Sequence, residues 1–287
     1  MDRHPLSDRR LIALIGIAAM LATGLTLYGR IPQSQAYHQF ADQRSFFGIP
    51  NFFDVVSNLP FLFVGVHGLL LFRKKTPSGS LPSLRHAYLT FFLGASLIAL
   101  GSGYFHLNPN DSTLIWDRLP MTISFMGFVT ILIGEYVHEA AARKLLVPFL
   151  LLGLFSVVWW RLTDNNDGGD LRIYIIVQFL PLLLIPYILW VYPAKLEPNS
   201  YVWGLLGMYG LAKGFELLDE PIFQILGVIS GHTLKHLAAA LGVLIFGIGM
   251  IRRRHGAAIG AQAPQSRNIQ RLMQRRPLRP YDQRRPD

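Results

Sequence analysis

The sequence predicts an all-α polytopic membrane protein. Three observations carry this. The 287 residues are 51% hydrophobic and only 15% charged, against roughly 25% charged in ordinary globular chains. The apolar residues gather into eight runs of 17–21 residues, near the ~20 that a helix needs to cross a bilayer. The basic residues, finally, sit mainly on alternate connectors.

The runs are 11–29, 52–72, 87–106, 117–137, 145–161, 172–192, 201–218 and 232–251. Turn-forming clusters separate several of them: Lys74 to Gly79, Asn108-Pro109-Asn110-Asp111, Asn165 to Gly169 and Glu197-Pro198-Asn199. The weakest run is 201–218, which contains Lys213 and Glu216. Residues 1–36 also read as a signal peptide ending in Ser34-Gln35-Ala36, but the apolar stretch is long for a 7–15-residue signal core, which favours a retained helix. No connector has room for a soluble domain. Three parts follow: residues 1–50, with a first helix and an outer loop; residues 51–251, a helical core; and residues 252–287, an Arg-rich tail that reads as disordered.

Eight spans put both termini on one side. That side collects twenty Lys and Arg residues, ten of them the arginines of 252–287, against five on the other. The positive-inside rule then places both termini in the cytoplasm. The net charge of +10 lies mostly in the tail. The basic tail suits anionic lipid headgroups. Nucleic acid is excluded as a partner, because the tail has no interleaved aromatics beyond Tyr281. With no cysteine in the chain, any metal must be held by His, Asp, Glu or Asn.

Ionisable residues inside spans are costly and so are functional candidates. The third span runs outward and ends with Ser102 and His106 on one face. The fourth starts outside with Asp117 and Arg118, and the eighth starts outside with His232 and His236, four apart on one face. Ser57 and Asn58 lie near the same level. Three imidazoles match a catalytic zinc, which keeps its fourth position for water. Asp117 is the candidate to take that water's proton, and Ser102 the candidate donor to a developing oxyanion. Blander readings exist for each. An HxxxH pair often lines a polar seam, Gly and Ser in spans serve close packing, and Asp117 can cap a helix start. Lys213 and Glu216 read as an ion pair. Asp219 and Glu220 read either as groups supporting the metal ligands from behind or as solvated, with solvated favoured, and Asp54 has no assigned role.

These residues resemble a known family. Phe53-Asp54-Val55-Val56-Ser57-Asn58 is similar to the start of the first core helix of alkaline ceramidases. Gly101-Ser102-Gly103-Tyr104-Phe105-His106, followed by Asp117 and Leu119-Pro120-Met121, resembles that family's second motif. His232-Thr233-Leu234-Lys235-His236 resembles its last-helix HxxxH. The resemblance covers 51–250 in order and points to the CREST superfamily, which also holds adiponectin-receptor-like proteins. It implies a seven-helix CREST-type core, here with one extra N-terminal transmembrane helix. It also implies zinc held by His106, His232 and His236, with Asp117 near the water and Ser102 at the oxyanion. The implied reaction is hydrolysis of the amide of ceramide or a related N-acyl lipid, on the non-cytoplasmic side. The rival implied by the same superfamily is a receptor or sensor with structural zinc. A transporter ranks lower, since the polar cluster lies away from the midplane and no repeat is visible.

Two departures stand out. Animal and yeast ceramidases carry an acidic calcium segment before the first core helix. The matching stretch, Asp42 to Asn51, offers Asp42 and Asn51, but Arg44 argues against a strong Ca2+ site. Lys235 stands between the two histidines where the family often has aromatics. Its ammonium can snorkel to outer headgroups or meet a lipid phosphate, and the second choice points away from plain ceramide.

Overall fold

A computed structural model describes residues 8–165 and 167–256. Among these the chain is mostly helical, with connecting loops, short 3₁₀ and π turns and two two-residue strands. The helices are α1 (Arg9–Leu27), α2 (Phe52–Val56), α3 (Leu59–Leu71), α4 (Arg85–Leu107), α5 (Asp111–Leu132), α6 (Glu139–Leu162), α7 (Arg172–Val191), α8 (Ser200–Leu217), α9 (Asp219–Leu226) and α10 (Gly231–Arg252).

Among the described residues seven segments are long and apolar enough to cross a membrane: α1, α2 with α3, α4, α5, α6, α7 and α10. The expectation of eight is corrected at α8, whose 18 residues carry Lys213 and Glu216. By its connections α8 still runs from one end of the bundle to the other, packed along α10. Large apolar side chains such as Leu151, Phe155, Trp190 and Leu241 are exposed, as helix faces turned to lipid would be.

Helix ends follow capping chemistry more closely than the limits of the apolar runs. Asn110 accepts hydrogen bonds from the Ser112 and Thr113 amides, while its own amide donates to Thr113 Oγ1. This capping box starts α5 six residues ahead of its apolar run. Asp117 therefore lies inside the helix and does not cap it. At the other end of α5 a π turn, Ile133–Val137, turns Glu135 into the bundle.

The helices pack in sequence order, α3 on α4, α4 on α5 and α5 on α6, with α10 against α8 and α3. Phe72, Tyr88, Phe91, Phe92, Phe128 and Phe246 form the aromatic centre. Helix α1 lies outside this bundle, chiefly against α7, and buries only Leu14.

The two ends of the bundle are closed differently. At one end, residues 28–51 run across four interhelical turns. Arg30 pairs with Asp167, and the Gln33 amide donates to Gly168 O at 2.7 Å. His38 and Gln35 reach Asp111. The Ala41 amide donates to Asp219 Oδ2 at 3.0 Å, and Arg44 reaches the Gly227 and Val228 carbonyls. Beside this strap Arg172 holds the Asp170 carboxyl down to about 2. Their ion pair is thus complete above about pH 4 and is lost only as the pH falls through about 2.

At the opposite end Arg253, fully buried, makes two bonds of 2.7 and 2.9 Å to Glu135. Tyr88 donates to the same carboxylate at 2.5 Å. Residues 254–255 then pair with 196–197 as a two-residue antiparallel ribbon. Residues 252–256, expected in the disordered tail, are therefore part of the fold, because Arg253 has a carboxylate to meet. The rest of the tail lies outside the described residues.

Removing one member of a buried ion pair strands the other charge and costs about 3–5 kcal/mol, whereas replacing both is often neutral. Glu135→Gln and Arg253→Met are each expected to lower the unfolding temperature in detergent sharply. The double variant is expected to recover more than half of the loss. Additive losses in the double variant would show that the pair is not the source.

Candidate metal centre and cavity

His106 ends α4, and His232 and His236 lie on one face of the first turns of α10. The three rings form a nearly equilateral triangle, with centroids 4.8, 4.9 and 5.0 Å apart. One nitrogen from each lies within 4.8 Å of the others, and all three residues are buried. Among the described residues this is the one group of three or more His, Cys, Asp or Glu side chains close enough to share an ion. Phe40, from the strap, covers the triangle with its ring 4.6 Å from both His106 and His232.

Each histidine is seated by a neighbour. Ser57 Oγ lies 2.8 Å from His236 Nδ1 and also donates to Asp54 O at 3.2 Å. A proton on Nδ1 would be accepted by Ser57 Oγ and leave Nε2 for a metal, although the Asn58 side-chain amide also lies 3.3 Å from Nδ1. Asn51, in a left-handed conformation at φ 46°, donates its side-chain amide to His106 O at 2.8 Å. Asp54 Oδ1 accepts from Thr233 Oγ1 at 2.7 Å and from Ser230 Oγ at 3.3 Å, which fixes the cap of α10. Asp219 Oδ1 accepts from the His232 amide at 2.7 Å. Asp219 is thus engaged, which corrects its reading as solvated. Glu220 makes no such contact with the histidines and lies at the surface beside Gln224.

Two glycines let the elements meet. A Cβ at Gly101 would lie 2.0 Å from Trp116 O, and one at Gly231 would lie 2.3 Å from Phe215 O. The first contact brings α5 against α4 where Ser102 and Asp117 face each other. Both are buried, and both line a cavity of about 410 Å³ together with His236. Phe61, Phe91, Phe128, Leu205 and Val243 form its apolar walls.

The other candidates divide. Lys213 and Glu216 are an ion pair at 2.5 Å, and Lys235 joins the same carboxylate at 3.1 Å. Of the calcium candidates, Asp42 is gripped by Arg44 through bonds of 2.8 and 2.7 Å, and Asn51 spends its amide on His106. Phe40 was not foreseen, because an aromatic residue in a polar loop carries no periodic signal. The favoured solvated reading of Asp219 fails because α9, an eight-residue helix, starts with its carboxylate against the first turn of α10.

The residues present fit a metal ion. Among the described residues His106 Nδ1 and His232 Nε2 are buried without a hydrogen-bond partner, and a buried polar atom left so costs about 1–3 kcal/mol. An ion held by all-nitrogen donors offsets that cost, and three imidazoles suit zinc, copper, iron or nickel. Comparison with protein-family models and with curated proteins finds no match to this chain.

Partners behind a ligating histidine typically contribute about 10–100-fold in metal affinity. Ser57→Ala is expected to weaken metal binding by about that factor while the helical content stays unchanged. Chelator competition followed by elemental analysis reads it. Wild-type affinity in the variant would remove Ser57 from the site.

Proposed function

We propose that the protein is a membrane-embedded, zinc-dependent amidohydrolase that cleaves the N-acyl amide of ceramide or a related lipid to a fatty acid and an amine. The observation that carries this reading is one juxtaposition. Three buried imidazoles lie together, and one of them, His236, lines a largely apolar cavity with a carboxylate, Asp117, and a hydroxyl, Ser102. Its volume falls within the ~300–1,000 Å³ of small-molecule sites. The sequence resemblance to alkaline ceramidases, with a seven-helix CREST-type core in α2–α10, supports the same reading. The twenty-to-five split of basic residues supports cytoplasmic termini and a site facing the other side.

Zinc held by His106, His232 and His236 would supply a nucleophile from water near neutral pH. The chain's own residues do the rest. The apolar walls hold the acyl chain, which approaches from the bilayer. Ser102 donates its hydroxyl to the carbonyl oxygen as charge develops there. Asp117 accepts the proton of the attacking water and returns it to the leaving nitrogen as the carbon–nitrogen bond breaks. Ser57 holds the His236 ring at its Nδ1. Phe40 keeps bulk water off the triangle from the strap side.

Asp117→Asn is expected to keep its metal and lose about 10²–10⁴-fold in fatty-acid release. His236→Ala is expected to lose both metal and release. The readout is fatty acid liberated from a panel of N-acyl lipids by detergent-purified protein, with zinc measured on the same samples. Wild-type activity in the Asp117→Asn variant would remove the proton-transfer role.

A further inference from the structure

The charge inside the cavity is unbalanced. Its walls carry three cations, Lys213, Lys235 and Arg118, against two carboxylates, Glu216 and Asp117. Glu216 is divided between both lysines, with Oε2 on Lys213 Nζ and Oε1 on Lys235 Nζ. One carboxylate thus faces two ammonium groups. Each ammonium has three donors and, among the described residues, uses one, on Glu216. Lys213 otherwise faces the Phe179 ring at 5.5 Å.

The third cation lies across the cavity. Arg118 is packed over the Trp160 and Tyr174 rings at 4.2 and 4.6 Å, and its Nη2 donates to Gln33 Oε1. Its Nη1 is buried with no partner among the described residues. Asp117, its neighbour in sequence, balances one charge but faces Ser102. Unpaired charge in a low-dielectric site is expensive and usually marks a place where a counter-charge binds.

The cations are also confined to one part of the cavity. Lys213 lies in the last turns of α8, Lys235 in the first turns of α10 and Arg118 two turns into α5. All are therefore at the histidine end, while Phe91, Phe128, Leu205 and Val243 line the part further in. A molecule that satisfies both parts has a long apolar chain inside and an anion beside the metal centre.

We propose that the substrate is an N-acyl lipid whose amine portion carries an oxyanion, a carboxylate or a phosphate, and that Lys213 and Lys235 receive it. This rests on the amidase reading of the same centre. Neutral ceramide lacks that group. Water adds across the amide as before, giving a fatty acid and an amine that retains the anion.

The test uses the full-length protein in detergent with chain-matched probes: N-palmitoylglycine, N-palmitoylphosphoethanolamine, neutral N-palmitoylethanolamine and free palmitate. Displacement of a fluorescent fatty acid reads binding, and palmitate release reads turnover. At least a tenfold preference in binding for one or both anionic amides over the neutral amide is expected, and which of the two wins names the oxyanion. Lys213→Gln leaves the neutral Lys235–Glu216 pair and should cut the preference about tenfold. Glu216→Gln removes the shared carboxylate and should raise it, a change of opposite sign that loss of packing alone does not give. Equal binding of neutral and anionic amides, or a preference untouched by Lys213→Gln, overturns the proposal. Palmitate competing as well as the anionic amides also overturns it, by placing the anion on the acyl part. An anion preference in binding with no release from any amide supports the subsite and sinks the amidase reading. Release from the neutral amide alone does the reverse.

Discussion

The position of the first turn of α10 governs the site. A histidine pair four residues apart can meet a third histidine from another helix only if the second helix starts at the right height and rotation. Asp54 sets the height by holding Ser230 and Thr233, and Asp219 holds the His232 amide. These bonds are made where water is scarce, so leaving either carboxylate without its donors is costly. Gly231 permits the approach of α8 that brings Asp219 into range. The short helix α2 belongs to the same arrangement, since Asp54 seats the helix cap and Ser57, one residue past α2, seats His236.

The strap of residues 28–51 extends this arrangement across the end of the bundle. It draws in the turns that follow α4, α6, α8 and α9, and it brings Phe40 over two of the three histidines. A loop crossing so many turns needs many polar partners, and it finds them in Asp111, Asp167, Asp219 and the Gly168 carbonyl. The same strap also lines the cavity, through Gln33 and Tyr37.

Much of this was legible in the sequence, and the reasons differ by residue. Apolar runs locate helices because the bilayer demands length. Alternation of basic residues orders them, which is how His106, Asp117, His232 and His236 could be placed at one level before any coordinates. Boundaries were less legible. Asn110 starts α5 six residues early because a capping box answers to local hydrogen bonds and not to hydropathy. Asp219 looked solvated because nothing in a lone acidic residue announces a backbone amide thirteen residues later. Lys235 stood out of place in the sequence, but its sharing of Glu216 with Lys213 depends on how α8 and α10 pack. Arg253 read as one of ten arginines in a basic tail, and only the π turn that points Glu135 inward sets it apart.

The Glu135–Arg253 pair has a bearing on how the chain is made. Its two members lie 118 residues apart. At about 5–20 residues per second, Glu135 is added to the chain roughly 6–24 s before Arg253 is. During that interval its helix is in or near the membrane with a carboxylate that has no cation to meet, and such a group resists leaving the aqueous boundary. Helix α10, the last of the described helices, therefore carries two of the three histidines and leads directly into the arginine that pairs with Glu135.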